Sequence, residues 1–257
     1  LGNTLDLIAR EKAGIIKPHV PVVVAPQHDE ALAAIQAVAD QQSARLILAG
    51  RDWTWQSVSD TPDGQVFDIE HIADPALPPF AIGSRTNVDE HSGARSETGP
   101  SGYSGYSQVS PFTSLRTPLL GTHQLANATV AVATCWELAQ QGVDISEDGI
   151  RQGLASVVWP GRFEVLGGAG QGDSISSADL AVVVDSAHND ASARLLHMAL
   201  AHYFPGRPVV AILGVSNDKD AQAILSELLP AVAWACITQS RHPRAADPQE
   251  LLPIAAQ

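Results

Sequence analysis

Hydrophobic and polar positions change period several times along this chain, and each change marks an element. In "LGNTLDLIAREKAG", Leu5, Ile8 and Ala9 recur at helical spacing and mark a buried stripe. Asn3 is the expected N-cap, Asp6 follows three residues on, and Gly14 is the expected stop. Lys12 falls four residues after Ile8 and so continues the stripe, an unusual place for a lysine. "VPVVVAP" (Val20–Pro26) is a β-branched run and predicts a buried strand. "HDEALAAIQAVADQQ" predicts a helix with Leu32, Ile35 and Val38–Ala39 inward, and "RLILAG" (Arg45–Gly50) a second strand. Strand, helix, strand implies a βαβ unit with parallel pairing.

The pattern alters at Trp53. "WTWQSV" and "QVFDIEHI" flank the turn chemistry of "SDTPDG", which predicts an antiparallel hairpin. Residues 83–110 are rich in Ser, Gly and Tyr and lack periodicity, which predicts a disordered, low-complexity insertion. "FTSLRTPLL" (Phe112–Leu120) resumes a strand. "HQLANATVAVATCWELAQQG" is a helix ending at Gly142, and "ISEDGIRQGLASV" another, capped by Ser146. Pro160 and Gly161 in "WPGRFEVL" break the helical period, so the domain boundary is expected at 158/159. Beyond it, three apolar runs alternate with two helices as β-α-β-α-β, the order of a Rossmann-like sheet. The class is α/β.

Composition narrows the functions. The 257 residues carry a net charge of −13, which argues against a nucleic-acid surface and a polybasic membrane anchor. No apolar run reaches membrane-spanning length and no signal peptide is visible. Two cysteines, Cys135 and Cys236, suit a reducing compartment, cytoplasmic or mitochondrial. The only methionine is Met198, and the first residues already sit at the start of a helix, so the chain is expected to begin inside a domain.

Candidate chemistry gathers at loop-to-helix corners. "VVVDSAHND" closes a strand with Asp185 and opens a helix with His188 and Asn189; "AILGVSNDKD" has Asp218, Lys219 and Asp220 at a second such corner. Ligands bind beyond the carboxyl ends of parallel strands, but Asp185 and Asp218 also read as turn and cap residues. "GTHQLANAT" puts His123, Gln124 and Asn127 in the first turn of a helix, where they either read a base edge or cap. "GGAGQGD" (Gly167–Asp173) lacks phosphate-loop spacing and reads as a connection; no Walker A motif occurs. The nine histidines show no metal spacing, and His19, His71 and His202 read as ordinary residues.

"LGNTLDLIAREKAGIIK", "LLGTHQLANA", "WPGRFEVL", "DSAHNDASARLL" and "NDKD" together resemble, in order and spacing, the folylpolyglutamate synthase and dihydrofolate synthase branch of the Mur ligases. The resemblance implies the later part of a P-loop ATPase domain (1–158, with the 83–110 insertion) followed by a Rossmann-like C-terminal domain (159–257). ATP lies between the two in that family. It further implies that Lys12 is carbamylated and holds Mg²⁺, the other metal ligands and the P-loop lying upstream of Leu1. An apolar stripe would favour the neutral amine that such chemistry needs; the ordinary alternative is a lysine snorkelling from the helix end. Asn127 would contact the adenine, Arg162 the phosphates and Asp185 the ribose or adenine side, with His188 lining the same cleft. The implied reaction joins L-glutamate to dihydropteroate or a folyl-glutamate through an acyl phosphate. The expected partners are these small molecules, for a monomer without nucleic acid or membrane, and the isolated chain is expected to be inactive. A cell-wall Mur ligase fits "WPGRFE" less well, and a non-catalytic nucleotide-binding or interaction module derived from a Mur ligase remains open.

Overall fold

Buried alanines, with Ile35 packed against them, join the first two helices. α1 (Leu5–Ala13) buries Ala9 and Ala13, and α2 (Asp29–Gln41) buries Ala31, Ala34 and Ala39. Ala9 packs with Ala31 and Ala34, while Ala13 and Ile16 pack with Ala39 and Ala44. Ala9 is buried as expected, but the rest of the expected stripe is corrected. Leu5 is 44% exposed, and Lys12 is exposed as well. At roughly 100° per residue Lys12 stands about 60° around the helix from Ala9, on the shoulder of the contact. The cap is corrected too: the N-cap is Thr4, whose Oγ1 accepts the Leu7 N–H at 3.3 Å, and not Asn3. Gly14 ends the helix as expected, its N–H donating to the Glu11 carbonyl.

The computed structural model describes residues 4–72, 112–166 and 180–256. Asn3, the 83–110 insertion and Gly167–Asp173 lie outside them. β1 (Val22–Val24) and β2 (Leu46–Leu48) pair in parallel, Val22 opposite Leu46, which completes the expected βαβ unit. β3 (Trp53–Thr61), β4 (Gly64–His71) and β5 (Phe112–Thr117) form a sheet in that order. Gly64, at φ 136°, follows the hairpin turn; a Cβ there would meet the Thr117 carbonyl at 2.8 Å, so the close approach requires glycine. β4 alternates strictly, turning Gln65, Phe67 and Ile69 inward. Phe67 and Ile69 pack with Trp53, Phe112, Leu115 and, from α3 (Thr122–Gln140), Leu125 and Val132. Burying each such side chain contributes about 1.5–3 kcal/mol. α4 (Glu147–Ala155) borders this core through Ile150 and Leu154, and Ser146 Oγ caps it by accepting the Gly149 N–H.

β6 (Glu164–Leu166) pairs antiparallel with β7 (Val182–Val184). α5 (Asp190–Tyr203), β8 (Val210–Leu213), α6 (Ala221–Leu228), β9 (Trp234–Ile237) and α7 (Pro248–Ala255) follow. The β-α-β-α-β order is as expected, and β8 pairs with β9 in parallel. Among the described residues, however, β7 takes β6 as its partner, so the strands form two two-stranded sheets. A short β-branched run reveals a strand but not its neighbour. Ala193 of α5 packs with Ile224 and Leu228 of α6, and a second cluster joins Leu120, Phe163, Ala199, Tyr203 and Phe204.

The chain divides into two units. The first comprises Leu1–Val58, Val66–Arg116 and Leu125–Ala155; the second comprises Ser59–Gln65, Thr117–Gln124 and Ser156–Gln257. The hairpin tip and the loop before α3 therefore belong with the C-terminal residues, an arrangement that a single boundary at 158/159 does not express. No helix among the described residues is long and apolar enough to cross a membrane.

The alanine contact is testable. Ala34 is 1% exposed against α1, so Ala34→Leu overpacks it and should destabilise the protein by about 1–3 kcal/mol. Leu7, 51% exposed, should tolerate Leu7→Ala within about 0.5 kcal/mol. Urea denaturation of the two variants checks the contrast.

Candidate functional site

One carboxylate ties two loops of the second unit together. Asp185 Oδ2 accepts the Phe163 N–H at 2.8 Å, and Oδ1 accepts the Ala187 N–H at 2.8 Å. "WPGRF" is thereby fastened to "DSAHND". The first loop needs the anchor because its backbone is unusual. Gly161 has φ 72° and Phe163 has φ 44°, the latter rare for a side chain of that size. The Phe163 ring is buried against Tyr203 and Phe204, and Glu164 Oε2 accepts the Gly161 N–H at 2.8 Å. Arg162, half-buried, is held between these fixed neighbours.

The second loop is fixed by the start of α5. Asn189 caps the helix, its Oδ1 accepting the Ser192 N–H at 2.8 Å, while Ser192 Oγ accepts the Asn189 N–H in return. The His188 N–H also donates to Ser192 Oγ at 2.9 Å. The His188 ring is exposed, with Nδ1 3.1 Å from the Ser186 carbonyl, which fits the tautomer protonated at Nδ1 and leaves Nε2 as an acceptor.

His123 completes the group. Its half-buried imidazole lies over Gly121 and feels both Asp185 and Arg162. Burial, chiefly, pushes its pKa below the usual histidine range; the Arg162 guanidinium adds to the depression and the Asp185 carboxylate opposes it. An imidazole, a guanidinium and a carboxylate thus share one field near the start of a 19-residue helix. That chemistry suits an anionic ligand bearing a polar ring.

The structure unites only some of the expected residues. Arg162, Asp185 and His188 belong to the second unit, whereas Lys12 and Asn127 belong to the first. Asn127 is exposed on α3, one helical turn from His123, while Gln124 is 8% exposed. At the other corner Asp220, not Asp218, caps α6, and Asp218 lies 3.6 Å from the Lys219 ammonium and 3.8 Å from Arg244. His202 lies 3.0 Å from Asp60. The role of His123 in this group was visible only as one of three polar residues in "GTHQLAN"; Tyr203 and Asp60, which brace its loop, carried no sequence signal. Among the described residues no group of three or more His, Cys, Asp or Glu is gathered to hold a metal ion. A cleft of about 300 Å³ in the first unit, bordered by Lys17, Val22 and Glu137, contains none of these residues.

Comparison with known proteins follows the same residues. The Mur ligase, glutamate ligase domain family matches residues 161–256. A probable bifunctional folylpolyglutamate synthase/dihydropteroate synthase of Halobacterium salinarum is 33% identical over 92% of this chain and 23% of its own length. The dihydrofolate synthase/folylpolyglutamate synthase of Bacillus subtilis is 28% identical over 89% of this chain and 43% of its own. The Mycobacterium tuberculosis folylpolyglutamate synthase complexed with ADP superposes with a TM-score of 0.72 at 26% identity, covering 100% of this chain and 47% of that one. The chain therefore spans less than half the length of each.

The environment of His123 sets a pH dependence. A histidine whose folded pKa lies below its unfolded value binds fewer protons when folded, so stability falls as pH drops through the unfolded value of about 6.5. His71, depressed by burial and by Arg45 in the first unit, acts in the same direction. Between about pH 7.5 and 5.5, the His123→Gln variant should lose less stability than the wild type, measured by denaturant midpoints. An NMR titration should find the His123 midpoint below that of a free imidazole.

Proposed function

The chain belongs to the folylpolyglutamate synthase/dihydrofolate synthase family of the Mur ligases, and we propose that it forms part of an ATP-dependent acid–amino-acid ligase. Residues 1–158 would be the later part of the ATPase domain and residues 159–257 the glutamate ligase domain. The reaction joins L-glutamate to dihydropteroate or to a folyl-glutamate. An acceptor carboxylate oxygen attacks the γ-phosphorus of ATP, and ADP leaves. The glutamate amine then attacks the acyl carbon, the amine proton is lost and phosphate departs with the former carboxylate oxygen.

The observation that carries this reading is the Asp185 tie, because it joins the two loops of the "WPGRF" and "DSAHN" resemblance around Arg162. The guanidinium fork of Arg162 suits phosphate oxygens, several at once. Each Asp185 oxygen keeps a lone pair beyond its backbone bond, enough to accept from a ribose hydroxyl. Asn127 would take the adenine, and His188 would face the ligand through Nε2. His123, largely neutral near pH 7, offers a hydrogen bond without adding charge.

Mg²⁺ and the Lys12 carbamate are part of the proposal on the resemblance of "EKAGI" alone. Exposure of Lys12 removes burial as the reason for a neutral amine. A carbamate there would supply one anionic oxygen donor, and the described residues do not make a metal site by themselves, so no step is derived through the ion. The second reading is a nucleotide-binding or interaction module without catalysis. The two part at one assay on the chain joined to the expected upstream P-loop portion: a ligase releases ADP when dihydropteroate or folate and glutamate are added, and a binding module does not.

Arg162→Ala removes a charge-assisted contact and should weaken ATP affinity, measured by calorimetry, by roughly ten- to a hundredfold. Arg162→Lys should recover part of the loss, since it keeps the charge but not the fork. Unchanged affinity with a lowered thermal midpoint would show that Arg162 only packs its loop.

A further inference from the structure

Gly121, the residue before α3, is held from both sides within the second unit. Its N–H donates to the Tyr203 hydroxyl at 2.8 Å. Its carbonyl accepts from Gln65 Nε2 at 3.1 Å, and Gln65 also donates to the Leu119 carbonyl at 2.7 Å. Gln65 is 1% exposed, a polar residue at an inward position of β4 that the core would otherwise fill with an apolar one. The Tyr203 hydroxyl in turn donates to Asp60 Oδ1 at 2.5 Å, and Asp60 Oδ2 lies 3.0 Å from His202 Nε2. Hairpin tip, loop and the end of α5 are thus joined by one polar network.

Gly121 matters because of what rests on it. It has φ 100°, and an added Cβ would sit 2.8 Å from the His123 ring, so the imidazole packs directly over the bare glycine. Fixing Gly121 fixes the surface under His123. Tyr203 is also the last residue of α5, whose first turn is capped from the loop that carries Asp185 and His188. One helix therefore has one end at that loop and grips Gly121 with the other.

The hydroxyl does more than fill space. The Tyr203 ring packs against Phe163 with centroids 5.4 Å apart, and a phenylalanine ring would occupy the same volume. Burial, and then the bond to Asp60, push the phenol pKa well above its ordinary value, so the O–H persists as both donor and acceptor.

We propose that Tyr203 is a positioning residue: through the Gly121 N–H it fixes the His123 loop at the start of α3 and thereby sets the ATP affinity of the site built on Arg162 and Asp185. The proposal rests on the nucleotide reading of that site.

The test compares the wild type with Tyr203→Phe and Asp60→Asn, measuring ATP affinity, amide exchange at Gly121 and thermal midpoint. Tyr203→Phe should weaken ATP binding by about five- to tenfold and speed exchange at Gly121. Its thermal midpoint should move by only a few degrees. Asp60→Asn keeps an acceptor for the phenol and should hold ATP affinity within about twofold. Unchanged exchange in Tyr203→Phe would overturn the fixing of the loop. Faster exchange with unchanged ATP affinity would overturn its coupling to the nucleotide. A wild type that binds no ATP would overturn the nucleotide reading and that coupling together, while the exchange rates would still decide whether Tyr203 holds Gly121.

Discussion

The second unit depends on a carboxylate that accepts two backbone N–H groups from two different loops. Asp185 is only partly buried, yet both its oxygens are engaged, one by Phe163 and one by Ala187. Without it, the left-handed Phe163 would leave "WPGRF" with an unpaired amide on a strained residue. With it, the Phe163 ring enters the aromatic cluster with Tyr203 and Phe204 while the neighbouring Arg162 is held at the loop surface. The same residue that shapes the loop also contributes charge to the group containing Arg162 and His123. Geometry and electrostatics of the candidate site therefore share one origin.

Much of the fold was legible from periodicity. The βαβ unit, the hairpin around "SDTPDG", the helix from "THQLAN" and the alternation after Pro160 follow the hydrophobic pattern closely. The failures are equally physical. In α1 the expected stripe of Leu5, Ile8 and Ala9 held at Ala9, but a close helix contact selects small side chains, so Ala13 joins it, Leu5 is exposed, and Lys12 stands on the shoulder. β7 was visible as a strand, but its partner is set by long-range pairing that no local pattern records. Cap residues were misread by one or two positions, as at Thr4 and Asp220, because several adjacent polar residues can each accept the same amide.

The site was legible through motifs more than through physics. Arg162, Asp185 and His188 lie on the two motifs that the Asp185 bonds tie together, whereas the bracing of the loop under His123 by Tyr203, Asp60 and Gln65 depends on residues 56 to 143 positions apart. Gln65 offered the one local hint, an amide where β4 should turn an apolar residue inward. For Lys12 the reverse holds: the motif marks it, but its exposure supplies no physical reason for unusual amine chemistry.

The account's central claim is that Asp185 holds the loop that presents Arg162, and amide hydrogen exchange at Phe163 tests it most directly. In the wild type the Phe163 N–H should be protected. In Asp185→Ala it should exchange faster by about tenfold or more, the loss expected for a buried amide left without its acceptor. Exchange at equal rates in the two proteins would contradict the claim.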